Sequence, residues 1–176
     1  RFELDHDAHT LSITHNKINY GACFDELPNV PIYPAVAFFG RDCEIELVRC
    51  SPPVNFADPR SSFAILPPPL FDYKHDDVEI LEGGKVARSK TSTKSHALIN
   101  QGFVTGKHFW EFKLLKDKTG DSRICLGAGI KPVINSAYDA SNELWLLRPY
   151  SGALYARGKY RNRKIDKPSE GDIIRF

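Results

Sequence analysis

Short motifs of two kinds could bind a ligand: a stretch of histidines and aspartates could bind a metal, and glycine-containing stretches could bind a nucleotide. "DHDAH" at residues 5–9 combines His6 and His9 with Asp5 and Asp7, and all four are metal-ligand types. A zinc site needs three or four converging ligands, and this stretch has only two histidines in a segment typical of a turn. "GGK" (83–85) lacks the spacing of a phosphate-binding loop, and "GAG" (127–129) is followed by "IKPV" rather than by a helix. We therefore expect no metal and no cofactor.

Nucleophilic residues are present, but their spacing does not predict catalysis. A catalytic serine or cysteine needs a base and an orienting group in contact with it, and no nucleophile elbow or oxyanion-loop motif occurs. The cysteines Cys23, Cys43, Cys50 and Cys125 form no C-x-x-C pair, which favours reduced, mostly buried thiols in an intracellular protein. We predict that the protein is not an enzyme.

Cationic and aromatic side chains alternate near the stretch "ARGKYRNRKIDK" (156–167). Phosphate groups attract such cations, and single-stranded nucleic acids stack on such rings. A charged loop that only keeps a domain soluble has the same composition, and a net charge of +2 does not by itself indicate nucleic acid or a membrane. We keep this stretch as an alternative binding site, with the basic residues Arg157, Lys159, Arg161, Arg163 and Lys164.

Short strands must position these side chains. The dominant pattern is a series of β-branched and aromatic runs bounded by turn residues, such as "TLSIT" (10–14) and "HFWEFKLL" (108–115). Apolar residues do not recur at helical spacing over eleven residues without an intervening glycine or proline. The sequence predicts an all-β fold, a bent antiparallel β-sandwich of two sheets with little or no helix. "GRD" (40–42) separates two of the runs by the length of a hairpin connection.

One segment differs in composition from the rest. Six of the twelve prolines lie within 51–70, which excludes a central strand there. We predict a proline-rich linker or surface strap over 51–72 within one domain of 1–176. Apolar runs stay below the ~18 residues of a membrane span, and the first residues do not resemble a signal peptide. We expect no membrane insertion and a cytoplasmic or nuclear protein.

The strands carry motifs that resemble those of SPRY domains. "GKHFWEFKLL" is similar to the glycine-x-aromatic-aromatic-Trp-Glu strand of that family, and "RICLGAGI" to the strand that follows it. "SNELWLLRPYSGALYARGK" resembles the segment that ends in a "G-x-L-Y" strand, and "EGDIIRF" the strand that leads into the family's hairpin. That hairpin corresponds to "ELDHDAHTLSITHNKINYGACFDEL", and the next family segment to "IYPAVAFFGRDCEIELV".

The order of these motifs differs from the family order. Residues 73–176 resemble the N-terminal half and residues 1–50 the C-terminal half, so the seam falls inside one strand. A circular permutant, a fragment that spans two tandem domains, or a printed order that differs from the covalent order would each explain this. Each element occurs once and only the dipeptide "RF" is repeated, which favours one sandwich, complemented within the chain or by exchange between two chains. We therefore expect residues 172–176 to lie close to residues 1–4.

The resemblance implies a rigid sandwich that presents loops to a peptide or a protein surface, so function is expected in loops. In family members that bind short peptides, the pocket uses the loop that corresponds to 131–143 and an aromatic residue before a glycine. In this chain these are Tyr138 and Phe39, with Arg41 and Asp139 placed to read charge. The family often has tryptophan where this chain has Phe39, so the specificity of its known peptide binders does not carry over.

The sequence thus predicts a non-catalytic module that binds a peptide motif or a protein surface. It would act within a larger intracellular protein, for example as a substrate receptor of a ubiquitin ligase. Two alternatives remain: nucleic-acid or phospho-ligand binding through 156–167, and a purely structural assembly domain. Steep salt dependence of binding would distinguish the phosphate site from an aromatic peptide pocket. A domain-swapped homodimer is a further expected arrangement, because a cut within a strand leaves an edge that a second copy can fill.

Overall fold

The computed structural model describes residues 2–51, 67–117 and 123–175. Short strands make up most of these ranges. Two 3-10 turns, Glu82–Gly84 and Pro149–Ser151, are the helical segments within them. The strands are β1 (Phe2–Asp5), β2 (Thr10–His15), β3 (Ile18–Phe24), β4 (Tyr33–Phe38), β5 (Glu44–Cys50), β6 (Phe71–Lys74), β7 (Val78–Leu81), β8 (Val86–Ser89), β9 (Ser95–Ile99), β10 (Lys107–Lys116), β11 (Ile124–Gly129), β12 (Leu144–Arg148), β13 (Ala153–Ala156), β14 (Lys159–Lys164) and β15 (Ile173–Arg175).

The strands form two antiparallel sheets. In the first sheet the order is β1-β2-β15-β10-β5-β8-β7, with β3 paired to β2 and β1 also paired to β10. The second sheet has the order β14-β13-β12-β11-β4-β9-β6. The predicted all-β sandwich of two antiparallel sheets with little helix is therefore confirmed.

Alternation along the strands divides the apolar residues between two clusters. Val36 and Phe38 of β4 join the main core between the sheets, where Trp110, Phe112 and Trp145 also lie. Because successive side chains of a strand point to opposite faces, the residues between them face outward. Burial of one such large side chain stabilises the fold by about 1.5–3 kcal/mol, so this core is the main source of stability.

The second cluster lies on the outer face of the second sheet. It contains Ala35 and Ala37 of β4 together with Cys125, Leu144 and Leu146 from the neighbouring strands. Tyr33, Phe39, Tyr73 and Tyr138 pack against it as partly buried side chains. This face is therefore not a plain solvated surface, because segments outside the sheet cover part of it.

Strands β15 and β1 lie end to end between β10 and β2. On β2, Thr14 is opposite Arg175 and the preceding residue, Ile13, is opposite Phe2. Both strands run antiparallel to β2 and to β10, so β1 continues the line of β15 in the same direction. The expected proximity of the two segments is confirmed for their described residues.

In the sequence, the proline-rich segment falls between β5 of the first sheet and β6 of the second. Residues 52–66 of the predicted strap lie outside the described residues. The side-chain amides of Asn100 and Gln101 donate to the carbonyl oxygens of Pro68 and Pro67, at 3.0 and 2.9 Å. β6 begins at Phe71, so the predicted strap extends two residues too far at its C-terminal end.

No helix of the described ranges has the length and apolar character needed to cross a membrane.

Candidate functional site

A cavity of about 250 Å³ opens on the outer face of the second sheet. It lies where the ends of several strands meet the loop 131–143. Aromatic and charged side chains share its walls, which are formed by Phe39, Lys94, Arg123, Tyr138, Asp139 and Arg148.

Cross-strand pairing brings these residues together from distant parts of the chain. Phe39 follows β4 in the same outward alternation as Ala35 and Ala37, and its N–H donates to the carbonyl oxygen of Arg123 at 2.8 Å. β11 pairs with β4 on one side and with β12 on the other, which adds Arg148 at the end of β12. Lys94 immediately precedes β9, the other neighbour of β4.

The loop 131–143 is held against the sheet by specific hydrogen bonds. The N–H of Val133 donates to the hydroxyl of Tyr73 at 3.1 Å. Nδ1 of His96 and the hydroxyl oxygen of Ser136 are 2.8 Å apart. Because both partners on the sheet are partly or fully buried, these contacts fix the loop and with it the position of the tyrosine at residue 138.

Four aromatic rings form a continuous row across this face. The ring centroids of Phe39 and Tyr138 are 4.8 Å apart, those of Tyr138 and Tyr155 are 4.6 Å apart, and Tyr160 follows at 5.8 Å from Tyr155. The guanidinium of Arg148 lies 5.3 Å from the centre of the Tyr138 ring. Partial burial raises the pKa of the Tyr138 hydroxyl, although Arg148 opposes this effect. The row offers a stiff apolar contact surface, as aromatic binding anchors do.

Of the charged residues that line the cavity, Asp139 was predicted from the sequence as a site residue. Asp139 forms an ion pair with Lys94, with Nζ and Oδ1 3.7 Å apart. Lys94, Arg123 and Arg148 were missed by the sequence analysis, although alternation along "ELWLLR" does place Arg148 on the same face as Leu144 and Leu146. That signal was available, but a charged residue at the end of a strand is too common to indicate a site.

Three of the four predicted partner-binding residues come together. Phe39, Tyr138 and Asp139 line the cavity. Arg41 is not among its described lining residues, and its side chain is 72% exposed and lies 4.0 Å from the carboxylate of Asp42. It lies beyond Gly40, where the chain already turns toward the other sheet.

The predicted basic residues lie in β14 and the turn before it, and two of them bind the neighbouring β3 segment. Arg161 forms an ion pair with Asp25. Arg163 donates to the carbonyl oxygen of Ala22 at 2.6 Å and to that of Tyr20. These two guanidinium groups are therefore engaged within the chain.

The other three basic residues, Arg157, Lys159 and Lys164, are exposed. Arg157 and Lys159 line a cavity of about 360 Å³ together with the carboxylates of Asp25 and Glu26. The described surface at this point is thus a mixture of both signs of charge. A mixed surface favours phosphate backbones less than the sequence pattern indicated.

The surroundings of His6, Cys23 and Cys50 do not favour metal binding or nucleophilic chemistry. Nε2 of His6 lies 3.1 Å from the carbonyl oxygen of Val30, and no cluster of three or more metal-ligand side chains occurs among the residues described. Burial raises the pKa of Cys23 to about 11 and that of Cys50 to about 12. Thiols with such pKa values are almost fully protonated near neutral pH and are poor nucleophiles.

No protein-family model matches the sequence, and no solved structure matches the fold. Functional inference therefore depends on the cavity, on the aromatic row and on the motifs in the strands.

Proposed function

We propose that this chain is a SPRY-like, non-catalytic interaction domain that binds a peptide segment of a partner protein at the cavity around Phe39 and Tyr138. The observation that carries the proposal is the contact between these two rings, 4.8 Å apart, from segments about one hundred residues apart in the chain. Both side chains are partly exposed, so a ligand can reach them. Rigid aromatic residues with little conformational entropy to lose are typical anchors of interfaces.

The support of the loop strengthens this proposal. Tyr138 belongs to a loop whose N–H and hydroxyl groups bond to Tyr73 and His96 of the sheet. A loop that is already ordered before binding loses less conformational entropy when a ligand binds. The cavity can therefore act as a preformed site.

The strand order supports a SPRY-like domain in permuted order. β15 and β1 lie in line within the first sheet, as they would if they were one strand of that family. Exchange of β1, β2 and β3 between two copies would keep the same pairings, so a domain-swapped homodimer is part of the proposal. Within a larger intracellular protein, in the cytoplasm or the nucleus, the domain would select partners, as the substrate receptor of a ubiquitin ligase does.

A peptide library displayed on phage tests the proposal. We expect the wild-type chain to select peptides that bind it. The double substitution Phe39→Ala and Tyr138→Ala should weaken the binding of these peptides by at least about 2 kcal/mol, which corresponds to roughly 30-fold in Kd. Ile18→Ala, which truncates a side chain that is 49% exposed on β3, serves as the control and leaves binding unchanged. Chemical denaturation checks that all variants are folded.

Two results would contradict the proposed function. One is a library that yields no peptide above background. The other is a set of peptides whose affinity is the same for the folded double variant and the wild type, which would place binding elsewhere.

A further inference from the structure

We infer that Thr93 is a phosphorylation site for a protein kinase that recognises basic residues, and that the phosphate weakens peptide binding at the neighbouring cavity. This regulation rests on the proposed function, because the cavity that it controls is the one around Phe39 and Tyr138. The turn 90–94, "KTSTK", joins β8 to β9 and ends at Lys94, which lines that cavity.

Thr93 is accessible to an enzyme. It is exposed, as is the preceding Ser92, and the whole turn lies outside strands and helices. The N–H of Thr93 donates to the hydroxyl oxygen of Thr91 at 3.1 Å. The N–H of Lys90 donates to the carbonyl oxygen of Asp77 at 2.9 Å. The turn is therefore anchored at its first residue, while its later residues are in solvent, where a kinase can reach them.

Basic residues flank Thr93 in the sequence. Lys90 lies three residues before it, and Lys94 follows it directly. Kinases choose among exposed hydroxyls partly by the pattern of charge around them, and a kinase with an acidic substrate groove favours basic residues before the acceptor. Thr105 is exposed as well, but "GFV" precedes it. The pattern around Thr93 thus suits a kinase of this class, whereas the pattern around Thr105 does not.

The modification transfers the γ-phosphoryl group of ATP to the side chain of Thr93. The hydroxyl oxygen forms a bond to the γ-phosphorus, and the bond between that phosphorus and the oxygen shared with the β-phosphate breaks. ADP leaves with the electron pair of the broken bond, and the hydroxyl proton passes to the catalytic aspartate of the kinase. The product carries a charge of about −1.5 to −2 near pH 7, directly before Lys94 in the chain.

An ion pair connects this turn to the loop that carries Tyr138. Nζ of Lys94 lies 3.7 Å from Oδ1 of Asp139, and the two side chains are 55% and 49% exposed. Because both partners are exposed, the pair is weak, and a phosphate dianion on the adjacent residue competes for the ammonium. The same phosphate repels the carboxylate of Asp139. Phosphorylation therefore separates the turn from the loop.

Separation of this pair disturbs the peptide site at one of its anchors. Asp139 directly follows Tyr138, and both line the cavity together with Phe39 and Lys94. A peptide that contacts the two rings must then order the loop again when it binds, which costs affinity. We expect Kd to rise by about 3- to 5-fold, which corresponds to the loss of one exposed ion pair.

Phosphate incorporation tests the site. The folded chain is incubated with ATP and with purified kinases that select basic residues before the acceptor, and mass spectrometry identifies the modified residue. We expect Thr93 to be modified, Ser92→Ala to retain this modification and Lys90→Gln to slow it. No phosphate at Thr93, or modification of Thr105 at the same rate, would overturn the inference.

Peptide binding tests the effect of the phosphate. A chain with phosphothreonine incorporated at Thr93 is compared with the unmodified chain, using peptides that the wild type selects from the displayed library. Phosphothreonine at Thr105, which is exposed and is not among the described lining residues, is the matched control and should leave Kd unchanged. In Asp139→Asn the phosphate at Thr93 should change Kd by less than about 2-fold, because the carboxylate on which it acts is absent. Chemical denaturation checks that every chain is folded.

The failures of the two proposals are distinguishable. Equal Kd values with and without phosphate at Thr93, an equal effect of phosphate at Thr105, or an undiminished effect in Asp139→Asn would each overturn the regulation. If the selected peptides still depend on Phe39 and Tyr138, the proposed function remains. A library without any binder overturns both the proposed function and the regulation of binding.

Discussion

Phe39 and Tyr138 show how individual residues gain a role from their surroundings. In sequence they are an aromatic residue before a glycine and a tyrosine in a loop, and both patterns are common. In the structure their rings touch and close one side of a cavity whose other walls include Arg123 and Arg148. The chemistry of the site therefore belongs to the set and not to any single residue.

His96 provides a prediction at the scale of the residue. Burial lowers its pKa to about 4, with a further decrease from nearby His75 and an opposing effect of Glu143. An unfolded histidine has a pKa near 6.5, so the unfolded chain binds more protons between these two values. Stability is therefore lost as the pH falls from about 6.5 toward about 4, by roughly 2–3 kcal/mol at most.

Urea denaturation at pH 7 and at pH 4.5 measures this effect. We expect the wild type to lose more free energy of unfolding between the two pH values than His96→Gln, which has no charge to gain. An equal loss in both proteins would show that another group is responsible. The same substitution keeps a polar partner for the Ser136 hydroxyl, which lies 2.8 Å from the histidine ring.

At the scale of the element, β14 protects an edge of the sandwich. Within the described residues β3 pairs with β2 alone, so its other side carries backbone groups that could pair with another chain. Arg163 covers two of them by donating to the carbonyl oxygens of Tyr20 and Ala22. Gly21, between these residues, has a positive φ of 66° and marks an irregular pairing with β2, which also disfavours added strands.

We expect Arg163→Ala to open this edge. The free energy of unfolding should fall by about 1 kcal/mol, because two hydrogen bonds to the edge are lost. Self-association should increase with concentration in sedimentation velocity. Lys164→Ala, an adjacent exposed residue with the same charge, is the control, and equal behaviour of the two variants would refute the role of Arg163.

The connection between β4 and β5 shows the limit of local prediction for elements. The short "GRD" segment predicted a hairpin, but β4 pairs with β9 and β11 whereas β5 pairs with β8 and β10. The segment instead crosses from one sheet to the other, and the hairpin prediction was wrong. The hydroxyl of Ser89 donates to the carbonyl oxygen of Gly40 at 2.5 Å and accepts from the N–H of Cys43 at 3.0 Å, so a third strand, β8, holds this corner.

At the scale of the whole molecule, two segments from opposite parts of the chain complete one sheet. Phe2 is fully buried and its ring stacks on Trp110 with centroids 5.7 Å apart. The first sheet therefore depends on the placement of β1 between β10 and β2. The proposed SPRY-like domain in permuted order would require this arrangement.

A rearranged chain tests that reading. A variant that begins at residue 67, joins Arg175 directly to Phe2 and ends at Ser51 should fold, because these two residues already occupy successive positions opposite Thr14 and Ile13. Covalent closure of β15 and β1 should leave its stability equal to that of the original chain or higher. Circular dichroism and urea denaturation measure both. An unfolded variant would contradict the permuted order.

Local patterns in the sequence were sufficient to predict the fold class and several of the strands. The alternation in "HFWEFKLL" favours one face for Trp110, Phe112 and Leu114, and all three are buried. Glu111 falls on the opposite face of this pattern, yet it is also buried and lies opposite Arg49 of β5. A period of two residues decides which side chains share a face, but it does not decide what covers that face.

Which strands are neighbours, and therefore which charged side chains meet, became known from the folded arrangement. Lys94 lies just before β9, Arg123 lies just before β11, and Arg148 is the last residue of β12. No local pattern in the sequence indicates that these three residues meet. They converge with Phe39 because β9, β4, β11 and β12 are consecutive in the second sheet. Alternation, turns and the effects of proline depend on residues adjacent in the chain, so they could be predicted from the sequence. Pairing between strands that are far apart in the sequence depends on the packing of the whole core, so the cavity could not be predicted in this way.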